Sequence, residues 1–275
     1  MKILIIGKGY LGTRCAQSWS DAVMTDKIVE TVSDVEKLID EHKPDAILNA
    51  AGIVGKPNVD WCETHQVETY KGNTILPLII AEACQKKGVY LLHMGTGCIF
   101  YGTAPDAPAW TEEDYANPVA VYTRCKYSAD LVLSTMANVG IARIRMPIDY
   151  QSHPANLIDK LAKYPKIVDV ENSVTVVEDM IDIFHQLLEK KACGIFHVTN
   201  PGSIKHREII ELYEKYVDKN HHNEWIPEEE LVKMGLADKK RSNNIMTSKN
   251  LTKYGITMRP IKEAIEDTMK KYERN

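Results

Sequence analysis

"KILIIGKGYLG", residues 2–12, decides the fold. Its first five residues carry four apolar side chains and read as a buried strand, and Gly7, Gly9 and Gly12 follow with no spacer. A helical pattern then begins. A glycine turn in that position has a physical logic. Gly7 permits the tight turn, Gly9 lets a pyrophosphate reach the backbone, and Gly12 lets the helix pack on the strand. The first helical amides, from Tyr10 and Leu11 onward, have no intrahelical partners and suit the anion. The stretch reads as a dinucleotide-binding turn.

Outward from it, short apolar runs alternate with helix-length segments. The strands are expected at 2–6, 22–25, 46–51, 90–95, 141–146 and 195–199, with helices near 11–19, 34–42, 66–87, 119–138 and 178–190. Alternation of this kind makes βαβ units, and the expected fold is α/β: a Rossmann-type, doubly wound parallel sheet. After Pro147 the texture changes, through "KIVDV" (166–170), the turn at Asn200-Pro201-Gly202 and a charged helical C-terminus. We expect residues 1–147 to form the dinucleotide-binding domain, with 174–199 returning to it. Residues 148–173 and 200–275 would form a smaller C-terminal substrate-binding lobe. The cleft between the two is the expected binding site.

The bulk properties narrow the function. The chain has 275 residues, 44% hydrophobic and 26% charged, with a net charge of −4, so no basic surface speaks for nucleic acid or an anionic membrane. Its apolar stretches are too short to span a bilayer, and Met1 begins on a strand-like run without a secretory n-region, so no leader is expected. The six cysteines show neither a CxxC pair nor a regular spacing. A cytoplasmic protein with free thiols and no metal site is expected.

Tyr122 and Lys126 stand four apart and share a helix face. A nearby cation favours the phenolate, which makes a tyrosine a usable proton donor near neutrality. Upstream, "LLHMGTGCIF" (91–100) empties a strand into a turn holding Thr96 and Cys98. For cofactor choice, Asp26 after the second strand suits the ribose of NAD, while Lys8 and Arg14 suit a 2′-phosphate. The residues alone leave that choice open.

Taken together, the glycine turn, Thr96 and the Tyr122/Lys126 pair resemble the extended short-chain dehydrogenase/reductase superfamily. The resemblance implies a Thr96–Tyr122–Lys126 triad with Tyr122 as general acid and Lys126 also holding the nicotinamide ribose. "NAAG" (Asn49, Ala50, Ala51, Gly52) matches the cofactor-side strand end, and Asn73 the asparagine that shapes the proton relay. Pro77 cannot donate to the Asn73 carbonyl, which frees that oxygen for a water; a simple helix kink accounts for Pro77 equally well. The strings "NAAGIVGKPNVDWCETH" (49–65), "TGCIF" (96–100), "RIRMPI" (143–148), "NPG" (200–202) and "RSNN" (241–244) are similar to bifunctional UDP-4-keto-6-deoxyglucose 3,5-epimerase/4-reductases, relatives of dTDP-4-dehydrorhamnose reductase. That likeness implies NADP(H), a UDP-sugar substrate, a homodimer, and cofactor contacts at Arg145 and Pro147.

A 3,5-epimerase needs what the triad cannot supply: one group to remove a proton from one face of the sugar and another to return it to the opposite face. Cys98 is the first candidate. In isolation it reads as a small buried hydrophobe. For the second, His153, Asp159, Lys160 and Lys163 are available beyond Pro147; Lys160 is chosen because "NLIDKL" (156–161) puts Asn156 and Lys160 on one helix face. Desolvation can bring such a lysine into the exchanging range. Candidate substrate contacts are Asn58, Trp61, Asn156, the Val168 backbone, Arg241 for the diphosphate, and Asn244. Asp60 joins the first two as a possible lining residue. The rival readings are a reductase acting on an already epimerised dTDP sugar and a non-catalytic NADP-binding regulatory subunit; the intact triad speaks against the second.

Overall fold

The computed structural model describes residues 1–56, 58–237 and 241–272. Six parallel strands form the main sheet: β1 (Ile3–Ile6), β2 (Ala22–Thr25), β3 (Ala46–Asn49), β4 (Tyr90–Thr96), β5 (Val139–Ile144) and β6 (Gly194–His197), in the order β6-β5-β4-β3-β1-β2. The register sets Ile3 beside both Ala22 and Ala46, and Leu91 beside Val139. The α/β Rossmann-type expectation holds.

The apolar run that opens the chain explains why the sheet is covered on both sides. Successive side chains of β1 point to opposite faces. Ile3 and Ile5 enter one core with Leu48 and Phe184, and Leu4 and Ile6 enter the other with Ile47 and Leu91. Helices α1 (Tyr10–Ser18) and α6 (Val177–Glu189) cover the first face. The second is covered by α2 (Val32–His42), α3 (Leu76–Lys87) and α4 (Val121–Leu133). A third core, built on Ile148, Leu161, Ile209 and Ile265, organises the lobe, whose helix α5 spans Leu157–Lys163.

Two features depart from the sequence reading. The single helix expected over 66–87 is interrupted by a π-helical turn at Lys71–Ile75, where Leu76 N–H donates to the Lys71 carbonyl just before Pro77. Residues near the C-terminus also divide: Leu251 and Ile256 pack into the core beneath the main sheet, not into the lobe. Among the described residues no helix is long and apolar enough to cross a membrane.

Candidate active site

The glycine turn is shaped as a cradle. Gly7 has φ +116°, and a Cβ there would lie 2.3 Å from the Ala51 nitrogen. A Cβ on Gly12 would lie 2.2 Å from the Gly7 oxygen, whereas one on Gly9 would meet nothing within 4 Å. Two of the glycines are therefore demanded by packing, and the middle one opens the backbone to its surroundings. Helix α1 starts with no side-chain cap and no acidic residue in its first turn, so its positive end is available to an anion. Ala51 N–H donates to Asn49 Oδ1 (3.0 Å), which fixes the end of β3 against the turn. This cradle fits a dinucleotide pyrophosphate.

Around it the sequence reading needs correction. Arg14 is not a free cation for a 2′-phosphate. It is buried, and its guanidinium forks onto Asp149 at 2.6 and 3.2 Å, with the Tyr10 hydroxyl on the same carboxylate at 3.1 Å. Lys8 and Asp26 are exposed. Removing one partner of a buried pair leaves an uncompensated charge. Arg14→Met is expected to destabilise the fold by about 3 kcal/mol, read from urea unfolding, while leaving the preference between NADPH and NADH unchanged. A shifted preference with normal stability would return Arg14 to the cofactor site.

Asn73 has a second use. Its side chain donates to the Ile53 carbonyl (2.7 Å) and accepts from Ile53 N–H (3.1 Å), clamping the loop beyond Gly52.

Beyond β4 the catalytic candidates gather. Thr96 ends the strand, accepts Cys98 N–H at 3.2 Å and hydrogen-bonds the Tyr122 phenol. Burial pushes the Tyr122 phenol up, and the Thr96 bond opposes this. The expected lowering by Lys126 is not what the geometry provides. The Lys126 Nζ lies 2.7 Å from the Met94 carbonyl oxygen and 3.1 Å from His93 Nε2. Burial brings Lys126 down to about 8, with Asp130 on the same helix pulling upward.

Cys98 is half-buried and lies near enough to Tyr122 and Lys160 for its charge state to be felt by both. Burial lowers Lys160, which has no ion-pair or hydrogen-bond partner for its ammonium group among the described residues. On the other side of the thiol stands Arg145, 1% exposed, with Nη1 3.5 Å from Cys98 Sγ and 3.2 Å from Ser242 Oγ. Its Nη2 binds the Asn172 side chain and the Ser242 carbonyl. So the Arg145 side chain is enclosed around the Cys98 turn. Pro147 opens a two-residue strand paired with Thr175–Val176.

Three proposed substrate contacts have partners within the chain. Asn156 caps α5: its Oδ1 accepts from Ile158 and Asp149 amides, and its Nδ2 donates to the Asp149 and Gln151 carbonyls. No donor is left for a nucleotide; Asn156 instead starts the helix that carries Lys160. The Val168 carbonyl accepts from His206. Asn244 is buried and donates to the Gly97 and Phe100 carbonyls at 3.1 and 2.8 Å, so it shapes the turn containing Cys98. Met246 contributes too, with its sulfur where a Cβ on Gly97 would sit.

Arg241 and Asp60 were separate candidates and form a bidentate pair at 2.7 and 2.7 Å. Asn58 accepts Asp60 N–H, and Trp61 stacks on His65 at 3.8 Å between ring centres. His93 was missed by the sequence reading. Its signal was an imidazole in the middle of the apolar strand "YLLHMG".

This arrangement, a glycine cradle beside a hydroxyl–phenol–amine set, has relatives. A family model described as the RmlD substrate binding domain matches residues 1–274. The chain belongs to the RmlD family. A bifunctional dTDP-4-dehydrorhamnose 3,5-epimerase/dTDP-4-dehydrorhamnose reductase of Arabidopsis thaliana is 35% identical, over 95% of this chain and 90% of that protein. The crystal structure of the L780 UDP-rhamnose synthase of Acanthamoeba polyphaga mimivirus aligns with a TM-score of 0.89 at 29% identity, covering 98% of this chain and 99% of that one. The RmlD-type fold also recurs in a dTDP-4-dehydrorhamnose reductase from Bacillus anthracis solved with NADP, at a TM-score of 0.82 and 20% identity over 98% of each chain.

Proposed function

We propose that this protein is an NADPH-dependent sugar-nucleotide reductase that also epimerises its substrate, converting UDP-4-keto-6-deoxy-D-glucose to UDP-L-rhamnose. One observation carries the double activity: Cys98 adjoins the Thr96–Tyr122 hydroxyl pair and stands within electrostatic reach of Lys160, which puts two further titratable groups on the same side of the carbonyl-binding position. A C4 ketone acidifies the C–H bonds at both C3 and C5, so one carbonyl site serves both inversions. At each carbon one of the pair takes the proton from one face, electron density passes to O4, and the other group returns a proton on the opposite face. Thr96 and Tyr122 hold O4 throughout by hydrogen bonds. NADPH, when bound, supplies hydride at C4. Tyr122 gives its proton to O4 in that step.

The cradle of Gly7, Gly9, Gly12 and the α1 amides would hold the dinucleotide phosphates, and exposed Lys8 is the cation left for the 2′-phosphate. NADPH is expected to bind about tenfold more tightly than NADH, and Lys8→Ala to remove most of that advantage. Fluorescence titration with both cofactors reads this out; NADH binding more tightly would assign the ribose to Asp26.

The direct test is to incubate the purified protein with UDP-4-keto-6-deoxyglucose and NADPH and identify the sugar formed. UDP-L-rhamnose is the expected product. NADPH consumption only with an already epimerised 4-keto sugar would leave a reductase without epimerase activity, and a matched series of dTDP sugars reports the base preference. A homodimer acting in the cytoplasm belongs to the same reading. Exposed Val67, Tyr70, Leu131 and Val132 on neighbouring helices support the dimer, which sedimentation velocity tests.

A further inference from the structure

We infer that His93 carries its proton on Nε2 and donates it to an uncharged Lys126 amine, making His93 the positioning residue that sets the pH at which Lys126 holds a charge. The inference comes from following donors and acceptors inward from the backbone. Ala51 N–H donates to Asn49 Oδ1 at 3.0 Å, so the Asn49 amide cannot be turned around without opposing two donors. Its Nδ2 therefore faces His93 Nδ1, at 3.0 Å. An amide nitrogen only donates, so Nδ1 accepts, and a neutral imidazole must then keep its proton on Nε2. His93 is fully buried, and burial holds it well below the usual histidine range, so the ring is neutral.

That proton points at Lys126 Nζ, 3.1 Å away. An ammonium has no lone pair, so a charged Lys126 would set two donors against each other in a buried site. A neutral amine resolves the conflict. It accepts from Nε2–H, donates one proton to the Met94 carbonyl at 2.7 Å and keeps another to offer. Burial, opposed by Asp130, brings Lys126 to about 8, and the donated hydrogen bond favours the neutral form further. The groups facing Lys126 are His93 from β4 and Asp130 from its own helix, whose carboxylate is paired in turn with Arg143 of β5 at 2.8 Å.

To carry charge, Lys126 needs the histidine proton moved to Nδ1 and the Asn49 amide turned. That would cost Ala51 N–H its acceptor, at the strand end against which the Gly7 turn packs. The charge on Lys126 is thus linked to the loop that holds the dinucleotide.

The consequence for turnover rests on the reduction reading above, but the tautomer does not. Long-range ¹⁵N–¹H spectra of histidine-labelled protein at pH 8 are expected to show His93 protonated at Nε2 and unprotonated at Nδ1. Protonation at Nδ1 would overturn the inference whether or not the protein reduces any sugar. The second measurement is the pH profile of C4 reduction in His93→Gln, whose amide can turn an oxygen toward the ammonium. The wild-type basic limb should fall at or below pH 8. In His93→Gln it should move up by about one unit, giving roughly tenfold more activity, relative to each protein's own maximum, at pH 9. A lower rate with an unmoved limb would mean that His93 only fills space.

Discussion

Tyr122→Phe is expected to lower C4 reduction on the order of 10²-fold or more, with the fold and cofactor binding unchanged. The substitution keeps the ring in its partly enclosed place on α4 and deletes one hydroxyl, the group that hydrogen-bonds Thr96. Hydride arriving at C4 leaves an alkoxide, and without the phenol no proton donor stands at O4. Thr96 can still donate one hydrogen bond, which is why the loss is not total. The measurement is NADPH oxidation against a pre-epimerised 4-keto sugar, with cofactor affinity followed separately. Near-normal oxidation would remove Tyr122 from the role of general acid.

Cys98→Ser and Lys160→Met are expected to abolish the other half of the chemistry and spare this one. In deuterated water without NADPH, the unaltered protein should exchange label into C3 and C5 of UDP-4-keto-6-deoxyglucose. Each variant should lose exchange at one or both carbons by on the order of 10²-fold, the range for a positioned acid or base. A serine hydroxyl keeps the size and hydrogen bonding of the thiol but ionises far less readily. Methionine keeps the unbranched stem of Lys160 without its amine. Reduction of the pre-epimerised sugar should survive in both, because neither side chain hydrogen-bonds Thr96, Tyr122 or Lys126; the Cys98 bond to Thr96 comes from its backbone N–H, which a serine keeps. Full exchange at both carbons in both variants would leave Cys98 as a small side chain packed against Arg145.

What the sequence disclosed and what it hid divide by range. The glycine turn, the strands and the helices were legible because each is set by spacing over a few residues: β1 through Gly12 is one local pattern. Thr96, Cys98, Tyr122 and Lys126 were legible through motifs of the same length. Arg14 was misread because its partner Asp149 lies 135 positions away, and no local pattern tells which helix face meets it. The enclosure of Arg145 by Ser242 and Asn172 was hidden for the same reason. Asn156 is different. An asparagine immediately before "LIDKL" is a helix cap by its position, so its internal use could have been found without a structure. His93 could have been noticed as well, but its tautomer depends on Asn49, which only the sheet register brings opposite.

The turn holding Cys98 is fastened by residues near the far end of the chain. Asn244 reaches back 147 positions to the Gly97 carbonyl and 144 to that of Phe100, and Ser242 donates to the same Phe100 oxygen at 2.6 Å. During synthesis, all six strands of the main sheet emerge before Ser242 does. A growing chain can therefore assemble its sheet and its glycine cradle while the turn beyond Thr96 still lacks its fastening. The fixing of the thiol waits on a segment that emerges after every strand of the main sheet, which separates the making of the cofactor cradle from the making of the Cys98 turn in time.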